Sequence, residues 1–110
     1  MRTIAWSALL AAAALGALEV AAAEGGVVVL TPSGCSGRYV VQTAGGYVLA
    51  EWFGGASPNK GDSVVGELSS FGFKDIFIVT QSGMTRAWID DYFLSKERIV
   101  EKLLDKGCSW

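Results

Sequence analysis

No histidine occurs in the 110 residues, and that one absence removes much of the chemistry open to a small protein. His-ligated metal sites and Ser–His or Cys–His nucleophilic machinery are excluded outright. No Asp-x-Asp-x-Asp-Gly loop is present to wrap calcium, and no Gly-rich segment leads into the Lys-Ser/Thr of a phosphate loop. The two cysteines are not spaced Cys-x-x-Cys, so nothing local lowers a thiol pKa for redox work. Charge of one sign is also missing. The formal net charge is −2, and setting aside the first 23 residues removes Arg2 and Glu19 and leaves that balance unchanged. A nucleic-acid footprint and a polybasic membrane patch are therefore both absent. There is no internal repeat, no low-complexity tract and no Asn-x-Ser/Thr sequon.

What is present begins with an address. Met1-Arg2 gives a short positive start, residues 4–18 form an almost unbroken Ala/Leu-rich apolar run, and Ala21-Ala22-Ala23 precedes Glu24. Positive start, apolar run and small residues at −3 and −1 make a secretory signal peptide over residues 1–23, removed by signal peptidase. The run is about 15 residues, short of the roughly 20 that span a bilayer, so no stable membrane span is expected in the mature form. No cysteine follows the small residues, which disfavours a lipid anchor. The Ala-rich leader and the lack of sequons fit a periplasmic protein, and the expected location is periplasmic or extracellular.

About 87 residues then remain, enough for one domain. They hold every aromatic except Trp6, sufficient for a real core. Cys35 and Cys108 allow one intramolecular bridge, expected in an oxidising compartment. Such a clasp over some 73 residues stabilises by about 4 kcal/mol in the chain-entropy model.

The walk along the mature chain gives strands first and a helix last. Residues 24–37 read as an N-terminal arm: 27–30 are β-branched, but so much glycine precedes them that they form either a short strand or a loose arm. Strands are expected over 38–43 and 47–53, joined at Ala44-Gly45-Gly46 where a tight hairpin needs positive φ. Residues 54–62 (GGASPNKGD) form a loop. Further strands follow at 63–68, 75–80 and 84–90, the second being the most apolar and expected to be central. Gly66 marks a bulge or bend. Five strands on short turns make a small antiparallel barrel over 38–110. Over residues 38–90 the pattern resembles SH3-like and oligonucleotide-binding barrels, without a diagnostic motif. The fold class is therefore mainly β, a five-stranded SH3-like or OB-like barrel with one C-terminal α-helix and a single disulfide.

The helix is expected over 96–106. Ser95 is the N-cap, Leu94 and Ile99 form a hydrophobic staple, and Gly107 supplies a left-handed C-cap. Ile99, Val100, Leu103 and Leu104 make its apolar stripe. Trp88 and Tyr92 are expected beneath it, with Trp110 either capping that cluster or exposed.

Candidate sites are few. Asp62, Asp75, Glu51, Glu67, Asp90 and Asp91 are carboxylates to weigh, yet adjacent Asp90 and Asp91 point to opposite sides of a strand and cannot easily chelate one ion together. A carboxylate pair working as in glycosidases needs a deep cleft, which a barrel this small seldom has. Loop-proximal aromatics are the stronger lead. Trp52 and Phe53 end one strand, Phe71 and Phe73 flank Gly72, and alternation turns one of Trp52 and Phe53 away from the core. Such rings either plug the barrel ends or offer flat area to a peptide or sugar. The reading is an exported, non-catalytic, monomeric or weakly associating binding module. It takes an envelope protein, peptide or glycan through Trp52, Phe53, Phe71 and Phe73, with no cofactor, metal or nucleic acid. The alternatives are an accessory subunit docking through exposed edges and terminal residues, and, third, a small carboxylate-dependent hydrolase.

Overall fold

The computed structural model describes residues 23–110; the expected signal segment, except for Ala23, lies outside the described residues. Six strands form a closed antiparallel barrel: β1 Glu24–Leu30, β2 Arg38–Thr43, β3 Gly46–Gly55, β4 Ser63–Gly66, β5 Gly72–Ile78 and β6 Gly83–Leu94. Around the barrel they run β1-β2-β3-β6-β5-β4. One α-helix, α1 (Lys96–Asp105), follows.

The sixth strand is β1, which corrects the expected arm over 24–37. It pairs with β2 on one side and β4 on the other and so closes the wall. Its glycines are packing residues. A Cβ on Gly26 would stand 2.5 Å from Val41 Cγ1 and 2.9 Å from the Gln42 carbonyl oxygen. Glycine here lets two backbones approach, and composition alone makes that look like a loose segment.

The expected β2–β3 hairpin is present, paired from Arg38↔Glu51 to Thr43↔Gly46, so that the turn narrows to Ala44-Gly45. Both of its faces are buried, so the strands read as apolar runs rather than alternations. Tyr39, Val41, Val48 and Ala50 fill the barrel with Val28, Val64, Leu68, Ile76, Ile78, Ala87 and Ile89. Val40 and Leu49 point outward and are covered by Ile99 and Leu103 of α1, together with Leu94 and the Cys35–Cys108 disulfide. Two cores thus share one hairpin.

Helix α1 is built as its sequence dictates. The Ser95 hydroxyl accepts the Arg98 N–H at 3.2 Å. At the other end, Cys108 N–H reaches the Leu103 carbonyl (2.9 Å) and Gly107 N–H the Leu104 carbonyl (3.0 Å), with Gly107 at φ 79°. This is a Schellman close, and it delivers Cys108 to Cys35. Ser33 and Ser109 then exchange two backbone hydrogen bonds of 2.9 Å. Only half the apolar stripe is buried, however: Ile99 and Leu103 face inward while Val100 and Leu104 remain open.

Strand β5 starts and ends earlier than the 75–80 expected. Val79–Gln81 is a 3₁₀ turn, because the Thr80 hydroxyl and the Gln81 amide are drawn to Asp62. A closed wall has no edge, so no strand is more central than another.

Candidate functional site

The aromatic side chains sort by the pleat. On β5, Ile76 and Ile78 face the barrel interior, while Phe73, Asp75 and Phe77 face out; on β6, Thr85, Ala87 and Ile89 face in, while Met84, Arg86 and Trp88 face out. On these two strands the narrow interior takes aliphatic or small side chains and the rings stay outside; Tyr39 of β2 is the ring the barrel does enclose. The outward residues meet rung by rung across the two strands: Phe73↔Trp88, Asp75↔Arg86 and Phe77↔Met84. Phe73 and Trp88 pack edge to face at 4.9 Å between ring centroids, and Phe53 meets Phe73 at 5.1 Å and 87°. The Arg86 guanidinium sits 5.0 Å over the Phe73 ring and reaches Asp75 at 3.5 Å. These rings are stacked but not covered: Phe53 is 51%, Phe73 47% and Trp88 37% exposed. Val65 on β4 extends the apolar area beside Phe77.

Phe53 reaches this face through a defect in strict pairing. Trp52 lies opposite Ala87 and Gly54 opposite Arg86, so Phe53 is one extra residue on β3. Such a bulge re-aims the side chain it carries. It also resolves the alternation problem, since Trp52 and Phe53 are both exposed.

Of the four aromatics read from the sequence, the fold joins only Phe53 and Phe73. Phe71 belongs to a neighbouring group, 4.9 Å from Tyr92, which in turn meets Phe93 at 5.1 Å. Phe93 has φ 55° at a further register irregularity of β6, an uncommon conformation for a bulky residue. Trp52 lines a hollow of about 150 Å³ with Thr31, Pro32, Tyr39 and Pro58, and its indole Nε1–H donates to the Ala56 carbonyl at 3.2 Å. Trp88 and Tyr92 do not lie beneath α1, which corrects that expectation: Trp88 stacks on Phe73, and Tyr92 packs on the barrel core. Aliphatic Val40 and Leu49 take the place under the helix. Arg86, Phe77, Met84 and Trp88 were missed as site residues, although the alternation Phe73-x-Asp75-x-Phe77 against Ile76-x-Ile78 carries the signal.

The carboxylates are engaged individually. Glu51 and Asp90 converge on Arg38, at 3.3 Å and 3.2 Å, and the same guanidinium donates to the Cys35 carbonyl at 3.1 Å. Asp91 pairs instead with Lys102 of α1 at 2.9 Å. Its burial works to raise its pKa, but the hydrogen bond and charge of Lys102 and the Tyr92 N–H outweigh this and lower it. Asp62 accepts from the Thr80 hydroxyl (2.6 Å), the Asn59 N–H (2.8 Å) and the Gln81 amide (2.7 Å), which hold its carboxyl below the usual range. Among the described residues no group of three or more Cys, Asp or Glu side chains could hold a metal.

An apolar groove of about 180 Å³ lies beside α1 between Leu30, Val40, Tyr47, Val100 and Trp110. No helix of the described residues is long and apolar enough to cross a membrane. No family model, curated protein or solved structure matches the chain.

Proposed function

We propose that the chain is an exported, non-catalytic binding module that docks a protein of the cell envelope on the outer β5–β6 face. The observation that carries this reading is the composition of that uncovered face. Phe53, Phe73, Phe77, Met84, Arg86 and Trp88 are the residue types that concentrate at the centres of protein interfaces. The outside of a barrel wall is convex, which suits another protein surface better than a glycan or small molecule, whose sites are concave. The disulfide is compatible with export, as is the leader-like start, after which β1 begins directly at Glu24. Catalysis is not proposed, because the two carboxylates that converge do so on Arg38.

The test is crosslinking capture from native envelope extract with the oxidised protein. The Phe73→Ala/Trp88→Ala variant is expected to bind at least about 30-fold more weakly, the ~2 kcal/mol of an interface hot spot, while Trp52→Ala keeps its partner. Capture unchanged by the double variant in a folded protein refutes this face. A second reading, an accessory subunit docking through its terminal residues, draws support from the groove beside α1 and exposed Leu104 and Trp110. Loss of the partner on Leu104→Ser instead would favour it.

A further inference from the structure

The outer β5–β6 face is complementary to itself. Its three rungs run aromatic on aromatic (Phe73↔Trp88), acid on base (Asp75↔Arg86), and apolar on apolar (Phe77↔Met84). Place two copies face to face with a two-fold axis along the seam between the strands. β5 of one copy then lies over β6 of the other at the same height. Asp75 meets the partner's Arg86 and Arg86 meets the partner's Asp75. Phe73 lies on the partner's Trp88, and Phe77 on the partner's Met84. An isologous interface requires this reciprocity, in which i meets j and j meets i.

Resting on the proposed role of this face, we propose that its partner is a second copy of this chain. The central charges give the proposal its specificity. Within one copy Asp75 and Arg86 are 3.5 Å apart and both more than half exposed, a surface pair of little worth on its own. Across the axis the four charges alternate in sign and sum to zero, so each Arg86 gains a second carboxylate as the flanking rings exclude water. The same four charges reject the opposite orientation, because a two-fold axis across the strands would set Asp75 on the partner's Asp75 and Arg86 on the partner's Arg86.

The experiment is sedimentation equilibrium of the oxidised protein from about 1 to 500 µM, with folding checked by near-ultraviolet circular dichroism. The wild type is expected to move from monomer to dimer mass. Arg86→Asp and Asp75→Arg, each alone, place like charges on the axis and weaken association roughly tenfold or more. Mixing the two variants restores a dimer, since the two acids of one copy then face the two bases of the other. Leu104→Ser, beside α1, leaves the mass unchanged and serves as the control. A wild type monomeric throughout, single variants that still pair, or a mixture that stays monomeric would each overturn self-pairing. The envelope capture is read separately: a partner lost with Phe73→Ala/Trp88→Ala from a monomeric protein would sink the second copy and keep the face.

Discussion

Tyr39 is the residue whose chemistry fits its place least. It is 2% exposed inside the barrel, and its hydroxyl has no hydrogen-bond partner. Burial pushes its pKa up to about 12, so the phenol stays neutral at any ordinary pH. A buried hydroxyl without a partner carries a desolvation cost that a hydrogen atom would not. Tyr39→Phe is therefore expected to stabilise the fold by about 1 kcal/mol, read as a higher urea midpoint at unchanged slope. Asp62 is the opposite case, a carboxylate with three donors. Asp62→Ala removes the acceptor those donors share, and since Asn59, Thr80 and Gln81 are exposed to water the cost should be about 1 kcal/mol. The folded protein holds the Asp62 and Asp91 protons more weakly than the unfolded chain does. Their contribution is complete above the ordinary carboxylate range near about pH 4 and is lost as pH falls through the lower folded values. Acid titration of stability should show Asp62→Asn with a shallower fall over that window.

Among the elements, those written in local chemistry were legible and those written in register were not. Gly45-Gly46 announces the β2–β3 turn; Ser95, Ile99 and Gly107 announce α1; Cys35 and Cys108 had one pairing open to them. β1 was hidden because Gly26 serves a backbone contact, and a missing side chain leaves no pattern to read. The Phe53 bulge was hidden because a one-residue slip is a property of two strands, visible only when both are paired. Trp88 and Tyr92 were misplaced because large rings usually signal a core, whereas the β5 and β6 positions that face this interior hold Ile, Ala and Thr. The helix end gives a direct check. Gly107→Ala has room for its methyl group, the nearest atom being 4.0 Å away, but must hold φ 79°. It is expected to cost about 1 kcal/mol through conformation alone, and thermal unfolding would measure it.

For the whole molecule, the covered wall and the wall proposed for binding are different sides of one barrel. The β2–β3 side is covered by α1 and the disulfide, and the β5–β6 side is bare. Trp88→Ala removes a ring packed on Phe73, so it should cost about 1 kcal/mol of stability and weaken the proposed association. Leu49→Ala, wholly buried under the helix, should cost about 2–5 kcal/mol and leave the binding face chemically intact. Reducing the disulfide removes up to about 4 kcal/mol and should lower the unfolding midpoint without altering the β5–β6 rungs. The general layout, a small barrel with one clasped helix, was readable in advance. Which wall stays uncovered was not, because that depends on where the helix settles.

The clasp also sets an order of events. Cys35 precedes five of the six strands, and Cys108 follows all six and the helix. A chain delivered N-terminus first presents its early thiol long before the matching one exists. The barrel can rehearse its pairings during that interval, yet the covalent lock waits for the helix to finish and for Gly107 to turn the chain. Were the chain exported as proposed, a stall in delivery would leave one thiol alone in an oxidising space, so speed of arrival as well as final stability would bear on whether the molecule closes on itself.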